Sequence, residues 1–445
     1  MKNLKDNNKI PRRGFLQSSA AAVGSVMLAG LPVGASAYVA GNETLKVALI
    51  GCGGRGTGAA SQALSTKGSV ELVAMADVFR DMLDNSYNNL KKMPAISPQV
   101  KVPEENKFTG FDAYKKAIDL ADVILLATPP GFRPEHFEYA IKQGKHVFME
   151  KPVAVDPPGI RKILDTAELA KQKKLNVIVG LQRRFAHTYT KGTVDKLHDG
   201  IIGDIVAAQA YWNIGAIRMP ERKPGQSELE YQMRSWYHFP WLSGDHIEDT
   251  HIHNLDIINW VKQGYPVSAQ GMGGREIPYP ETGKGMIFDH HYVEFKYADG
   301  MLLNSQARQI TGTFVRLGEY FIGTKGTAET SMNQAIIKDH QGNNLHMHRD
   351  RDDPKPMQLE HDIFFAAIRN GDYLNTADYG AKSTMTAILG RMATYSGQVI
   401  NWDEAIQSDY SLRNYDIENW ESPAPVQPDK KGDYPIPKPG ITKIL

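Results

Sequence analysis

Residues 44–64 read TLKVALIGCGGRGTGAASQAL, and the middle of this stretch decides the fold. An apolar run, Leu45 to Ile50, leads into Gly51-Cys52-Gly53-Gly54-Arg55-Gly56 and then into small residues suited to a helix. This is G-x-G-x-x-G in the context that gives it meaning: a buried parallel strand, a tight turn, and a helix opening whose backbone N–H groups can hold a pyrophosphate. Gly51 permits the turn, Gly53 lets phosphates approach the backbone, and Gly56 lets the helix pack closely on the strand, while Gly54 and Arg55 complete the loop.

Glycine turns between strands and helices are common, so a second strand with an acidic end is needed to give this one weight. SVELVAMADV (69–78) reads as such a strand, ending at Asp77, 21 residues after Gly56. An acidic side chain there accepts hydrogen bonds from the ribose hydroxyls of a dinucleotide and repels a 2′-phosphate, which favours NAD; Arg80, close by, leaves NADP open. Alternation continues with a strand in ADVILLATPP (121–130), a helix in PEHFEYAIKQG (134–144) and a strand in KHVFMEKPVAV (145–155). Strands alternating with helices imply a parallel doubly wound sheet whose ligands sit beyond the carboxyl ends of the strands, where Thr128, Pro129, Glu150 and Lys151 fall.

The second half has a different texture. DIVAAQAYWNIGA (204–216), HHYVEFKYADGMLLNSQARQ (290–309) and VRLGEYFIGTKGTAETS (315–331) are strand-like runs broken by turn signals at Asp299-Gly300 and Gly323 to Gly326. Long antiparallel strands with an apolar face need covering, which a second copy of the chain would provide, so a homo-oligomer, dimer or tetramer, is expected. Residues 359–396 read as helical, and the proline-rich residues from 409 to 445 read as an extended strap.

At 445 residues the chain is too long for one ordinary core, and 51 Lys plus Arg against 50 Asp plus Glu leave no basic stripe for nucleic acid. One cysteine, Cys52, excludes an internal disulfide and a multi-cysteine zinc site. Residues 1–13 are polar and end in Arg12-Arg13; GFLQSSAAAVGSVMLAGLPVGASA (14–37) is small and apolar and closes on Ala35-Ser36-Ala37. That pattern is expected of a cleaved export signal of twin-arginine type, placing the mature protein in the periplasm or otherwise outside the cytoplasm, with no stable membrane insertion.

Several of these elements together resemble the Gfo/Idh/MocA family of glucose-fructose oxidoreductases and inositol dehydrogenases. The resemblance rests on Gly51-x-Gly53-x-x-Gly56, Ala127-Thr128-Pro129 with His136, AIKQGKHVFMEKP (140–152), Asp249-x-x-x-His253, and GRMATYSGQVINWDEA (390–405). It implies a Rossmann domain over residues 44–165 and an α+β domain over 166–408 with a large, mostly antiparallel sheet. It also implies hydride transfer between a nicotinamide cofactor and a hydroxyl of a sugar or glycoside.

Oxidising a secondary alcohol requires a base within reach of the hydroxyl proton. In GDHIEDTHIHNLDIINW (244–260), Asp249 and His253 are i, i+4 and share one face if 248–261 is a single helix. By the resemblance His253 is the base, Asp249 orients the sugar, and Lys151 stabilises the alkoxide; His251 stands where the family usually carries a small residue. His251 and His253 are i, i+2 and fall on different helix faces, poor geometry for one ion together with His246, and no metal ligand is assigned. Arg183, Arg184, Tyr211, Trp212, Arg234, Trp236, His238 and His251 offer hydrogen-bonding groups and aromatic faces suited to a pyranose and are expected to touch substrate. A redox-neutral, NAD-dependent glycoside hydrolase is the alternative, although that branch tends to depart from Glu-Lys-Pro; a non-catalytic sugar-binding protein is the second.

Overall fold

The computed structural model describes residues 43–276, 284–413 and 415–444; the export segment expected at 1–37 lies outside them. Two sheets organise the chain. The first orders its strands β3-β2-β1-β4-β5-β6, all parallel. In chain order they are β1 (Leu45–Ile50), β2 (Val70–Asp77), β3 (Lys107–Thr109), β4 (Val123–Leu126), β5 (His146–Met149) and β6 (Val177–Val179). β1, β4 and β5 are almost continuously buried, because helices cover both faces of a parallel sheet and leave no side to water. The strand order reverses between β1 and β4, which opens a crevice at their carboxyl ends.

The sheet outruns the boundary expected at residue 165. Its sixth strand follows the helix Pro157–Gln172 and is held at its outer edge by residues from much later in the chain: Val177 N–H donates to the Leu374 carbonyl and Val179 N–H to the Thr376 hydroxyl.

The second sheet has nine strands, β7 (Ile205–Ile214), β8 (Pro266–Gly274), β9 (His290–Tyr297), β10 (Leu302–Gln309), β11 (Arg316–Gly323), β12 (Gly326–Ser331), β13 (Gln334–Asp339), β14 (Asn344–Arg349) and β15 (Ile400–Asn401). All pairings are antiparallel except β7 with β10. The turn expected at Asp299-Gly300 joins β9 to β10, with Gly300 at φ +87°.

Between the sheets runs the helix Ala377–Ser396, buried on nearly every face, packing on the Pro157–Gln172 helix, on β8 and on the helix Ile252–Lys262. Two of its glycines are required by close approach: a Cβ at Gly380 would lie 2.7 Å from Val179, and one at Gly390 2.8 Å from the Phe295 ring. This helix therefore joins the two sheets into one core. No helix among the described residues is long and apolar enough to cross a membrane.

From residue 409 onward the described chain holds neither helix nor strand. It is nonetheless anchored. Asp156 caps the helix starting at Pro157 with one carboxylate oxygen, and with the other accepts from the Ser411 hydroxyl and the Leu412 amide, both at 2.8 Å. Further on, Trp420 stacks on Phe79 at 5.2 Å between centroids and meets the Phe111 ring edge-on at 5.0 Å.

Candidate active site

A cleft of about 490 Å³ opens at the carboxyl edge of the first sheet and is shared with the second domain. Gly51, Gly53, Gly54, Arg55, Gly56, Asp77, Thr128, Pro129, His136, Glu150 and Lys151 all line it, as do Asp249, His253, Arg234 and Trp236. The residues expected to hold a cofactor and those expected to carry chemistry thus meet in one space.

At one end, Asp77 closes β2 and accepts from the Cys52 N–H at 2.7 Å and the Phe79 N–H at 2.9 Å. Burial raises its carboxyl above the usual value, against these two amide bonds. Arg80 points away, into a pair with Asp84 at 2.9 Å and a second with Glu104. Arg234 belongs to this end: its guanidinium lies 3.9 Å from the Phe79 ring and bonds Asp81 at 3.1 Å and Glu230 at 2.8 Å. In mid-cleft Arg55 reaches across to Glu150 at 2.5 Å, and Thr128 Oγ1 lies 3.2 Å from His136 Nδ1. Burial, with Arg413 and Arg133 nearby, pushes His136 down to about 3, so its ring is neutral.

At the other end stand Lys151, Asp249 and His253. The single helix expected over 248–261 is instead two, His246–Asp249 and Ile252–Lys262, with a break at Thr250 and His251. At the break Lys151 Nζ donates to the Asp249 carbonyl, the acceptor that a continuous helix would offer to residue 253. Lys151 Nζ also lies 3.8 Å from Asp249 Oδ1. Asp249 and His253 still face the same cleft across the break. Burial, the Lys151 ammonium and Arg183 hold His253 well below the usual imidazole value, so it is neutral and able to accept a proton. Trp212 stacks behind it at 6.1 Å.

Six residues expected to touch substrate do not line this cleft. Arg183 is buried against Glu319 at 2.7 Å, and Arg184 against Asp256 at 2.8 Å. His251 is buried with Nε2 2.7 Å from the Ser305 hydroxyl, on the far side of the helix break. His238 is buried and pushed down to about 4. Tyr211 bonds Gln209 under the Arg316 guanidinium, and Trp212 reaches the site only through His253. For Arg183, Arg184, His251 and Tyr211 the polar head found a partner inside the protein, which residue type alone does not reveal. Glu319 is pushed up to about 7 by burial, against the pull of Arg183. Arg183→Met strands that carboxylate and is expected to lower stability by about 3 kcal/mol in chemical denaturation. Unchanged stability with a raised KM would return Arg183 to a substrate-binding role.

The sequence reading missed Arg133 and Glu360. Arg133 opens the helix Arg133–Lys142, donates to the Pro152 carbonyl and is pushed down to about 10 by burial. Glu360, from the helix Pro356–Asn370, enters the cleft with its carboxyl raised well above normal by burial and by Glu150. Neither carries a local motif.

Residues 45–181 match the family model for the Gfo/Idh/MocA oxidoreductases, described as an NAD-binding Rossmann fold. This segment has the NAD-binding Rossmann fold that the family model describes. Among curated proteins the chain is 27% identical over 186 residues to a glycosyl hydrolase family 109 protein of Porphyromonas gingivalis, covering 38% of this chain and 37% of the relative. It is 25% identical over 258 residues to an inositol 2-dehydrogenase of Agrobacterium fabrum, covering 55% and 66%. The chain thus spans less than two thirds of the length of either relative. Among solved structures, the scyllo-inositol dehydrogenase of Lactobacillus casei with NAD(H) and scyllo-inositol superposes with a TM-score of 0.61 at 22% identity, over 81% of this chain and all of that one. The likeness establishes the two-domain fold.

The residues of this Rossmann domain fit NAD. An added Cβ at Gly53 would meet nothing within 4 Å, leaving the turn open to a pyrophosphate, and Gly53 brings no side chain to cap the helix Gly54–Leu64. At Gly56 a Cβ would fall 1.9 Å from the Gly51 carbonyl oxygen. Gly56→Ala must therefore push the helix off the turn. The expected outcome is loss of about 1–3 kcal/mol of stability together with loss of bound dinucleotide, read by thermal denaturation and by mass analysis of the native protein. A stable variant that keeps its dinucleotide would sink the close-approach argument.

Proposed function

We propose that this protein is an oxidoreductase that moves hydride between a retained nicotinamide dinucleotide and a secondary hydroxyl of a sugar or glycoside. The observation that carries this reading is the convergence of Lys151, Asp249 and neutral His253 in the cleft that begins at the Gly51–Gly56 turn. The nicotinamide, when bound, supplies the hydride acceptor or donor. His253 takes the hydroxyl proton, Lys151 steadies the negative charge developing on that oxygen, and Asp249 accepts from a neighbouring sugar hydroxyl while its carbonyl keeps Lys151 aimed. The engagement of Arg80 by Asp84 and Glu104 leaves Asp77 alone to meet the ribose, which supports NAD over NADP.

Export is part of the same proposal, from Arg12-Arg13 and the apolar stretch behind them. A nicotinamide cofactor is not readily resupplied outside the cytoplasm, so the protein folds around its dinucleotide and keeps it; the strap packed on Phe79 and Phe111 beside Asp77 supports retention. Exposed apolar residues, among them Val206 and Met272 on the second sheet, support a homo-oligomer.

A second reading, the redox-neutral glycoside hydrolase, is favoured by the Porphyromonas gingivalis relative's name. One experiment separates the two. The purified protein is mixed with a panel of glycosides while nicotinamide absorbance and products are followed. Reduction of bound dinucleotide with a keto-sugar product supports the dehydrogenase. Released aglycone with no net reduction supports the hydrolase, and binding without chemistry supports neither.

A further inference from the structure

The interior of the second domain holds three side chains that the proposed reaction does not use. Asp245 precedes the helix His246–Asp249, and His291 lies on β9; with His246 they are buried, and their ligand-capable atoms all lie within 4.8 Å of one another. His291 Nε2 stands 3.4 Å from Asp245 Oδ1, and His246 Nε2 stands 4.0 Å from the same oxygen.

Hydrogen bonding around the trio leaves a gap in its middle. The Thr394 hydroxyl donates to helix carbonyls, Gly390 at 3.1 Å or Arg391 at 3.0 Å, so its lone pair is what meets His291 Nδ1 at 2.9 Å. With a proton on Nδ1, His291 turns a bare Nε2 lone pair toward the Asp245 carboxylate. Two acceptors facing each other in a dry interior are unfavourable unless something positive lies between them. Neither ring nitrogen of His246 has a hydrogen-bond partner among the described residues. Asp245 Oδ2 accepts from the Tyr395 hydroxyl at 2.6 Å and the Phe288 amide at 2.9 Å, while Oδ1 accepts the His246 backbone N–H at 2.5 Å and also faces the two rings.

We propose that Asp245, His246 and His291 bind a divalent transition-metal ion of the zinc class. Two imidazoles and a carboxylate are a ligand set that zinc accepts. Bonds of about 2.0–2.2 Å separate tetrahedral ligand atoms by about 3.5 Å, so the trio draws in by about an ångström on binding. A water completes the shell. The set differs from the three histidines weighed in the sequence: His251 and His253 are engaged elsewhere, and the ligands come from a helix start and a distant strand. The ion is structural. It ties the helix that ends at Asp249 to the second sheet.

The test is elemental analysis of the full-length protein, purified without a metal-affinity step from zinc-supplemented medium. About one equivalent of zinc per chain is expected, with Asp245→Asn and His291→Gln reduced at least about tenfold. Chelator-treated wild type should regain at least about 5 °C in Tm on adding zinc, and cobalt(II) in its place should give visible ligand-field bands that the variants lack. If the variants do not fold, the wild-type measurements decide alone. Metal-free protein whose Tm ignores zinc and whose cobalt(II) mixture stays colourless would overturn the site and assign the gap to a proton shared between His291 and Asp245. The outcome is independent of which sugar reaction the cleft performs.

Discussion

Lys151→Ala is expected to lower turnover by about 10²–10³-fold while leaving the dinucleotide bound. The size follows from position: the ammonium is the cation nearest the Asp249 and His253 pair, and it sits where an alkoxide would form. Lys151→Arg is not expected to rescue, since a planar fork cannot place one point charge on both the Asp249 carbonyl and a substrate oxygen. Because Lys151 also holds the helix break, bound dinucleotide and Tm serve as controls. A variant with both controls intact and near-normal turnover would remove Lys151 from the chemistry and favour a sugar-binding role without catalysis.

His253→Gln should cost about 10²–10⁴-fold in kcat, the range for a lost general base. Its pH signature separates catalysis from simple packing. A base works unprotonated, and burial, Lys151 and Arg183 hold His253 well below its ordinary value of 6.5. Activity should therefore stay level as pH falls through 6.5, and drop only when pH passes below the depressed pKa. Removing the neighbouring cation in Lys151→Ala should move that acid limb to higher pH. A wild-type limb centred near the ordinary imidazole value, unmoved by Lys151→Ala, would mean another group titrates.

Much of this architecture was legible because its determinants are local. Gly51, Gly53 and Gly56 sit within six residues, Asp77 ends the next strand, and Glu150-Lys151-Pro152 comes directly after a third. The Asp249 and His253 pair was found by helical spacing although the helix is broken, because the break changes backbone bonds more than it changes which cleft the two side chains face. The failures share one cause. Arg183, Arg184 and His251 have the right chemistry for a sugar site, but their partners Glu319, Asp256 and Ser305 lie far away in the chain. Glu360 and the Asp245–His291 contact are the converse: proximity created entirely by tertiary structure.

The strap has a consequence for folding. Phe79 belongs to the first few strands and helices, yet the ring that stacks on it, Trp420, comes after both sheets are complete. β6 likewise depends on Leu374 and Thr376 for its outer hydrogen bonds. Such contacts of very long sequence separation form late, since loop-closure entropy must be overcome before they stabilise anything. The first 180 residues excised as a fragment would keep the glycine turn but expose Val177–Val179 as a raw edge and leave Phe79 and Phe111 uncovered. The nucleotide-binding half is therefore not an interchangeable module: residues from the far end of the chain complete its sheet edge and cover Phe79 and Phe111.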